Sequence, residues 1–141
     1  LAILRVAGIY GPNKLPKKRL SSGQPLLLES QSPYSNRVHV DDLIDTALAA
    51  AGHDLVVNVA DGSPSTMTAY FHALADAVGV ERLAEADREQ LAESWTEGLR
   101  SYMSESRRID NTRMRNLLGG VLRYPKLHIG LMHSVEEEGV G

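Results

Sequence analysis

Two short apolar runs, separated by an amphipathic segment, constrain what this chain can fold into. Residues 1–9 read LAILRVAGI and are closed by Gly11-Pro12, and residues 55–59 read LVVNV between polar residues and glycine. Apolar runs of this length, ended by turn residues, are typical of strands that are buried on both faces of a parallel sheet. The sequence therefore predicts two sheet strands, one at each end of the first 60 residues.

The segment DDLIDTALAAAG between these runs predicts a helix. Asp41 or Asp42 can cap its start with a carboxylate, and Gly52 is suited to its end. The apolar residues recur at helical spacing and predict one buried face, made of Leu43, Ile44, Ala47, Leu48 and Ala51. Strand, helix and strand alternate, which indicates a parallel α/β unit.

The rest of the chain favours helices over strands. Before residue 40, KLPKKRLSSG predicts a short helix, Leu26–Leu28 an extended piece and RVHV a brief strand. After DGSPST, Ser65 or Thr66 can cap a helix whose apolar face is Tyr70, Phe71, Leu74, Ala75 and Val78. Residues 84–103 predict an exposed helix or lid. Asp110 or Asn111 can cap a last helix that carries Met114, Leu117 and Leu118.

The fold class expected from this order is α/β. The two or three predicted strands are too few for a complete doubly wound sheet, so an open parallel sheet with one half missing is the better interpretation. Residue 1 is Leu and falls inside the first strand, which is expected of a cut end. We divide the chain into sheet strands with substrate-facing loops at 1–62, a mostly helical subdomain at 63–134 and a loose tail at 135–141.

Composition excludes several classes of function. Among 141 residues, 43% are hydrophobic and 23% charged, as in ordinary globular proteins. There is no cysteine, which excludes a disulfide framework and a thiolate zinc site. The net charge of −3 does not favour general nucleic-acid binding, and no apolar run is long enough to span a bilayer. We expect a cytoplasmic protein with no nucleic-acid and no membrane partner.

Four motifs occur in an order that points to one family. They are LRVAGIYGP at 4–12, RVHVDDL at 37–43, VVNVADG at 56–62 and RRIDNTRMRNLLG at 107–119. Together they resemble the second half of extended short-chain dehydrogenase/reductases of the NAD(P)-dependent epimerase/dehydratase family. The resemblance implies the C-terminal portion of a Rossmann-like parallel sheet, followed by a mostly helical substrate-binding subdomain.

The resemblance also assigns residues to the cofactor. Val6, Ala7 and Gly8 end the strand that lies against the nicotinamide in this family, so they are expected to contact NAD or NADP in the complete protein. Nucleotide-sugar members often have Asn where this chain has Gly8, and Arg where it has Ser35. In those members the Asn and the Arg are expected to bind the phosphate of the nucleotide sugar. Because this chain has neither, the resemblance does not favour a nucleotide-sugar substrate.

The chain lacks the cofactor-binding turn and the catalytic pair of this family. The glycine-rich turn that cradles the cofactor pyrophosphate is absent from the sequence. Tyr10 and Lys14 have the four-residue spacing of the catalytic pair, but Gly11-Pro12 between them prevents a helix from presenting both on one face. We predict no catalytic residue in this chain, no activity for it alone and no cofactor binding by it alone.

Four residues are predicted to bind substrate. Arg37 begins a strand beside the expected cleft, although an ion pair with Asp41 or Asp42 is an equal alternative. Arg108 belongs to a basic stretch near the pocket, with surface solvation or a carboxylate partner as its alternative. The other two predicted contacts are Tyr10 and Tyr34, and Tyr34 could instead pack the subdomain. The basic cluster Lys14, Lys17, Lys18 and Arg19 is expected to be a solvated face.

Metal binding and nucleic-acid binding are weaker interpretations. His39 with Asp41 and Asp42 has no further histidine at ligand spacing, so we predict no metal. A nucleic-acid surface built on residues 107–115 conflicts with the net charge of −3. The leading hypothesis is the substrate-binding half of an NAD(P)-dependent epimerase, dehydratase or reductase that acts on a sugar-like or other hydroxyl-bearing small molecule. Its expected partners are the missing N-terminal half and a second copy in a homodimer. The alternative is a non-catalytic binding or regulatory module with the same fold.

Overall fold

The chain folds into short strand pairs surrounded by helices, and a computed structural model describes residues 1–139. The strands are β1 (Ala2–Val6), β2 (Gly8–Tyr10), β3 (Leu26–Leu27), β4 (Tyr34–Ser35), β5 (Arg37–His39), β6 (Leu55–Val59), β7 (Ser65–Thr66) and β8 (Glu85–Ala86). The helices are α1 (Lys17–Ser21), α2 (Val40–Ala50), α3 (Met67–Val78), α4 (Arg88–Ala92), α5 (Glu97–Ser104), α6 (Thr112–Leu117) and α7 (Leu127–Gly139). A 3-10 turn covers Glu29–Gln31. The predicted α/β class is confirmed.

The first predicted strand is split into β1 and β2, which pair with different neighbours. β1 runs parallel to β6, and β2 runs parallel to β5. The change of partner falls at Ala7, whose N–H donates to the Val59 carbonyl at 3.0 Å, while the N–H of Gly8 donates to the Asn36 carbonyl at 3.1 Å. The carboxyl end of β1 therefore lies where two neighbouring strands diverge, the place where open α/β sheets bind ligands.

β1 is an edge strand in this structure. Within residues 1–139 its one hydrogen-bonded strand partner is β6, and Ile3 and Val6 are 46% and 41% exposed. Val57 and Val59 of β6, by contrast, are fully buried. The prediction that the first strand is buried on both faces is wrong for β1, because Ile3 and Val6, whose side chains point to opposite faces, are both exposed within residues 1–139. An unpaired apolar edge of this kind invites pairing with another chain.

The apolar face of α2 points away from the core. Ile44 is 50% exposed and Leu48 is 72% exposed, whereas Asp42, Thr46 and Ala50 are buried. The predicted helix is confirmed, but of the predicted buried face only Leu43 packs against the core. The helix is also held by its polar side, where the Asp42 carboxylate accepts the N–H groups of Arg123 and Tyr124.

Two hydrophobic clusters hold the fold together. One joins β2, α3 and α7 through Tyr10, Tyr70, Leu74, Leu127 and Leu131. The other joins β5, β6 and α6 through Val38, Val57, Val59, Met114 and Leu122. The first cluster connects a strand of the sheet region to two helices of the predicted subdomain, so these parts share one core.

The C-terminal region is more helical than predicted. Two short helices, α4 and α5, occupy the segment that was predicted as one helix or lid. The helix α7 continues to Gly139, so residues 135–139 are helical rather than a loose tail, and residues 140 and 141 lie outside the described part. None of the helices within residues 1–139 combines the length and apolar character that crossing a membrane requires.

Candidate functional site

A cleft of about 170 Å³ opens at the carboxyl end of β1. Four of the residues predicted as ligand contacts line it: Ala7, Gly8, Tyr34 and Arg37. Its opposite wall comes from the end of α5 and the loop that follows, including Tyr102, Glu105 and Arg107. We refer to this space as the Arg37 cleft.

Arg37 lies between a glycine and an aromatic ring. Its guanidinium carbon is 4.2 Å from the centre of the Tyr70 ring, within the range of a cation–π contact. A Cβ atom on Gly8 would collide with the guanidinium, so glycine at this position makes room for the Arg37 side chain. The Nε atom of Arg37 is buried and has no hydrogen-bond partner among the described residues.

The ion pair considered for Arg37 does not form. Within residues 1–139 neither Asp41 nor Asp42 has a carboxylate oxygen in an ion pair with Arg37. Asp42 is used to hold the segment after α6, because its two oxygens accept the N–H groups of Arg123 and Tyr124 at 2.7 and 2.9 Å. Asp41 lies beside His39, with its carboxylate 3.8 Å from the ring Nδ1. That alternative for Arg37 is therefore wrong in this structure.

Tyr34 and Arg108 stack at the rim of the Arg37 cleft. The guanidinium carbon of Arg108 lies 4.0 Å from the centre of the Tyr34 ring. Tyr34 lines the cleft, whereas Arg108 is exposed and lies outside its lining. The stacking fixes Tyr34 from outside and leaves Arg108 in contact with solvent.

Asn36 organises the loop on the far side of the cleft, a role that sequence reasoning missed. Its side-chain amide donates to the carbonyl of Arg107 at 2.9 Å and accepts the N–H of Ile109 at 2.9 Å. The N–H of Tyr34 also donates to the Ser106 hydroxyl at 3.0 Å. The motif RRIDNT thus meets the strand region through backbone groups, which a residue pattern alone does not reveal.

Tyr10 lies in the core rather than in the cleft. Its side chain is 1% exposed and packs with Leu74 and Leu131, with its hydroxyl against Gly130. Burial raises the pKa of the Tyr10 phenol, and the negative charges of Asp61 and Asp42 raise it further. A phenol in this setting is held neutral and is not accessible to a ligand, so we leave Tyr10 out of the proposed substrate contacts. Val6, at 41% exposed, also lies outside the cleft lining.

A larger apolar cavity of about 390 Å³ lies beside the cleft, between α3 and the α4–α5 region. Phe71, Leu91, Trp95 and Met103 contribute its apolar wall. Arg19 contributes a polar edge, and its guanidinium is folded back onto the carbonyls of Gln24 and Pro25. Burial lowers the pKa of Arg19.

A buried carboxylate lies at the carboxyl end of β6. Asp61 is 4% exposed, its Oδ1 accepts the N–H of Ser63 at 2.8 Å, and its Oδ2 has no hydrogen-bond partner among the described residues. Burial raises the pKa of Asp61 to about 7, while the positive charge of Arg37 acts in the opposite direction. Sequence reasoning treated this residue as turn chemistry and missed its burial.

Two histidines meet at α7. The N–H of Asp41 donates to His39 Nδ1 at 3.0 Å, so the proton of the neutral His39 ring is on Nε2, which lies 3.3 Å from His133 Nδ1. Tyr124 stacks on both rings. Burial lowers the pKa of His39, which keeps the ring neutral. His39 thus caps α2 in place of the predicted Asp41 or Asp42.

His39, Asp41 and His133 place potential metal-ligand atoms within 4.8 Å of one another. A metal-bound histidine normally donates its second ring N–H to an acceptor. His39 cannot do so, because its Nδ1 accepts a backbone N–H and would leave only Nε2 for both a proton and a metal. The arrangement fits a hydrogen-bonded histidine pair better than a metal centre. His133 is 94 residues away along the chain, so no local residue pattern could predict its contact with His39.

The basic clusters are only partly solvated. Lys17 pairs with Glu138 of α7, and Arg107 pairs with Glu105 at 3.4 Å. Arg113 donates to the carbonyl of Val56 at 3.0 Å, behind the sheet. Arg107, Arg108 and Arg113 therefore have separate surroundings and do not form one positive face.

Comparison with solved structures identifies the fold of this chain. No protein-family model and no curated protein matches the chain. A solved structure of a functionally unknown conserved protein from Silicibacter pomeroyi is 29% identical, with a TM-score of 0.85 over 97% of this chain and 49% of that one. A human epimerase family protein with NADPH is 16% identical, with a TM-score of 0.75 over 96% of this chain and 48% of that one.

A third structure extends the comparison to a sugar-nucleotide enzyme. UDP-glucose 4-epimerase from Thermotoga maritima with UDP-glucose is 22% identical, with a TM-score of 0.69 over 96% of this chain and 44% of that one. The chain has the fold of the C-terminal part of NAD(P)-dependent epimerases and dehydratases. It spans about half the length of the solved structures that it matches.

Within this fold, Tyr10 and Lys14 are not brought together on one helix. Tyr10 ends β2 and is buried, and Lys14 lies in the loop before α1, so no helix within residues 1–139 presents both. The cleft is bounded by Gly8 at one end and by the 105–109 loop at the other. The cleft lining contains the guanidinium groups of Arg37 and Arg107, the carboxylate of Glu105 and the aromatic rings of Tyr34 and Tyr102.

Proposed function

We propose that this chain is the substrate-binding half of an NAD(P)-dependent epimerase, dehydratase or reductase. The observation that carries the proposal is the position of Arg37, whose guanidinium lines a cleft at the carboxyl end of a parallel strand. Ligands of open α/β sheets bind at such ends. Tyr34, stabilised from outside by Arg108, supplies an aromatic face for a sugar-like ring or another hydroxyl-bearing carbon skeleton.

The cofactor of the complete protein is NAD or NADP in this proposal. Val6, Ala7 and Gly8 would lie nearest to the nicotinamide, because they form the strand end beside the cleft. The human epimerase family protein was solved with NADPH, which supports a nicotinamide cofactor for this fold. The pyrophosphate-binding turn is not in this sequence, so the chain by itself should be inactive.

The missing N-terminal half is the partner that this proposal requires. Its sheet would pair with the free edge of β1 and cover Ile3 and Val6. The outward apolar stripe of α2, with Ile44 and Leu48, is a second surface that it could cover. Both surfaces are apolar and lie on elements that adjoin β1, which supports one covering partner for the two.

A chimera tests the proposal directly. The N-terminal half of the Silicibacter pomeroyi protein, fused ahead of Leu1, should bind NADPH or NADH, and this chain alone should not. A matched chimera with Ile3→Lys and Val6→Lys should fail to assemble a single cooperative unit, because charges would replace apolar side chains at the new contact. A chimera that folds but binds neither dinucleotide more tightly than the chain alone would contradict the proposal.

The alternative is a non-catalytic binding module with the same fold. It is favoured by one observation, namely that the described residues hold a formed cleft without a helical Tyr and Lys pair. The chimera separates the two functions, since it supplies a cofactor site. Hydride transfer with a hydroxyl-bearing substrate supports the enzyme, and substrate binding without any hydride transfer supports the module.

A further inference from the structure

The apolar cavity between α3 and the α4–α5 region adjoins the Arg37 cleft. Met67, the first residue of α3, lines both spaces. The cavity, at about 390 Å³, is the larger of the two, and the cleft has about 170 Å³. Methionine is unbranched and flexible, so its side chain can move to let a ligand pass from one space into the other. We refer to the cavity as the Trp95 pocket.

The wall of the Trp95 pocket is mostly apolar. Phe71 comes from α3, and Leu91, Trp95, Leu99 and Met103 come from the α4–α5 region. All five are partly open to water, and Leu99 is 40% exposed. Apolar side chains that stay open to water around a cavity are typical of a ligand site, since a ligand that covers them removes this surface from water.

The hydroxyl groups of the wall are already bonded to the protein's own backbone. The Thr68 hydroxyl donates to the carbonyl of Leu27 at 2.7 Å, and the Ser94 hydroxyl donates to the carbonyl of Leu91 at 2.9 Å. The Ser32 hydroxyl accepts the N–H of Thr68 at 3.1 Å. These side chains therefore have little hydrogen-bonding capacity left for a polar ligand.

Arg19 is the charged side chain of the pocket lining within residues 1–139. Its Nη1 donates to the carbonyl of Gln24 at 2.7 Å, and its Nη2 donates to the carbonyl of Pro25 at 3.1 Å. An anion would have to compete with these carbonyls for the guanidinium. The Trp95 pocket is therefore better suited to an apolar group than to a phosphate or a carboxylate.

We propose that the substrate of the Arg37 cleft carries an apolar group, an alkyl chain or a hydrocarbon ring, which fills the Trp95 pocket. This inference rests on the proposed function, since it names the substrate class of the same cleft. The hydroxyl-bearing part of the substrate lies against Arg37 and Tyr34. The apolar part extends past Met67 and displaces water from the pocket wall, which favours binding.

Two glucosides that differ only in the alkyl group test the substrate class. Trp95 is the one tryptophan of the sequence, so intrinsic fluorescence reports on the pocket. Hexyl β-D-glucopyranoside, titrated into the 141-residue chain, should shift the emission to shorter wavelength, because the alkyl group replaces water beside the ring. Methyl β-D-glucopyranoside should leave the emission unchanged. Amide chemical shifts of Gly8 and Arg37 should give an affinity for the hexyl compound that is about tenfold or more above that for the methyl compound.

A pair of double variants tests where the alkyl group lies. Leu99→Gln with Met103→Gln makes the pocket wall polar and keeps good helix formers in α5. Affinity for the hexyl compound should fall by about tenfold, while affinity for the methyl compound should stay within about threefold. Ile129→Gln with Met132→Gln is the matched control, because these α7 residues are 48% and 51% exposed and lie outside the pocket lining. The comparison of the two glucosides in the wild type decides the question if the α5 variant fails to fold.

A third variant tests whether one ligand occupies both spaces. Arg37→Met should weaken binding of the hexyl compound by about tenfold, because the sugar loses hydrogen bonds to the guanidinium. Arg115→Met should leave this affinity unchanged, because Arg115 is exposed and lies outside the cleft and the Trp95 pocket. A hexyl compound that shifts the Trp95 emission with the same affinity in Arg37→Met and in the wild type would overturn the inference that both spaces bind one substrate.

The remaining outcomes decide the apolar class. Equal affinities for the two glucosides would overturn it, and so would an equal loss of affinity in the α5 and α7 double variants, which would show general binding to exposed apolar surface. If fusing the N-terminal half of the Silicibacter pomeroyi protein abolished the Trp95 response, that half would occupy the pocket and the inference would be wrong. Dinucleotide binding by the same chimera is a separate readout, so it would still support the proposed function in these cases.

Discussion

The Arg37 side chain has two environments, the Tyr70 ring and the cleft, while its backbone carbonyl accepts the N–H of the buried Asp61. Methionine keeps most of the aliphatic stem and removes the charge. At pH 6, Arg37→Met should change the free energy of unfolding by about 1 kcal/mol or less. In the complete protein kcat/KM should fall about tenfold or more, about 1.4 kcal/mol.

Arg115→Met is the control for this prediction, because Arg115 is exposed and lies outside the cleft lining. Its kcat/KM should stay within about threefold of wild type. A large loss of melting temperature for Arg37→Met at pH 6, with kcat/KM of the folded enzyme unchanged, would show that Arg37 supports the fold and not the substrate.

Asp61 should give stability a dependence on pH. Its pKa is about 7 in the fold against 3.8 ordinarily, so the folded protein holds this proton more tightly than the unfolded chain. The stabilising contribution is present below about pH 4 and is lost as the pH rises through about 7. The loss corresponds to about 4 kcal/mol for a shift of this size.

Asp61→Asn should flatten that dependence, because the amide does not titrate and can still accept the Ser63 N–H. Urea unfolding at pH 5 and pH 8 measures the difference for both proteins. The unfolding free energy of the wild type should fall more than that of the variant between these pH values, and an equal change in the two proteins would contradict the raised pKa.

At the scale of elements, α7 docks through a glycine. A Cβ atom on Gly130 would collide with the hydroxyl and ring of Tyr10, in the middle of a packed cluster. Gly130→Ala should therefore destabilise the protein by about 1–3 kcal/mol, because the helix must shift or the tyrosine must leave its rotamer. Thermal unfolding of the variant measures this.

Gly98→Ala is the matched change, since Gly98 lies in α5 and a Cβ there meets nothing within 4 Å. Alanine is the better helix former, so this variant should be equal to wild type or more stable by up to about 1 kcal/mol. Equal stability of the two alanine variants would show that the contact between Gly130 and Tyr10 does not position α7.

Sequence patterns predicted the helices and strands better than they predicted how these elements pack against one another. As expected, the Thr66 hydroxyl caps α3, and the apolar face of α3 from Tyr70 to Val78 packs into the core. Both features depend only on local sequence: the cap on one hydroxyl, and the face on the spacing of the apolar residues. The apolar stripe of α2 was expected to face the core and is exposed at Leu48, because long-range bonds to Asp42 decide how the helix sits. A helical face is local information, but its burial depends on what packs against it.

The site residues also divide into those that local sequence predicts and those that depend on distant partners. Ala7, Gly8, Tyr34 and Arg37 were predicted as contacts and do line one cleft, because all follow from the ends of adjacent strands. Asp61 and His133 were missed, since their significance comes from burial and from partners far away in the sequence. Tyr10 was predicted at the cleft and lies in the core, because residues of α3 and α7 pack over its side chain.

For the whole molecule, the exposed edge of β1 predicts self-association. The chain alone should form oligomers or aggregates at micromolar concentration, because Ile3 and Val6 and the unpaired backbone are open to pairing. Ile3→Lys should shift the population toward monomer by charge repulsion, whereas Asp76→Lys, an exposed position on α3, should not. Sedimentation velocity measures both. A strictly monomeric wild type with a cooperative unfolding transition would show that the edge needs no partner.

The central claim is that this chain carries the substrate side of an epimerase-type cleft and not the cofactor-phosphate site. Calorimetric titration of the 141-residue chain with NADH and with NADPH tests it most directly. The account predicts no binding at micromolar concentrations, since no glycine-rich strand-to-helix turn lies in the sequence to receive the pyrophosphate. A micromolar dissociation constant for either dinucleotide would contradict it and would place a cofactor site within these residues.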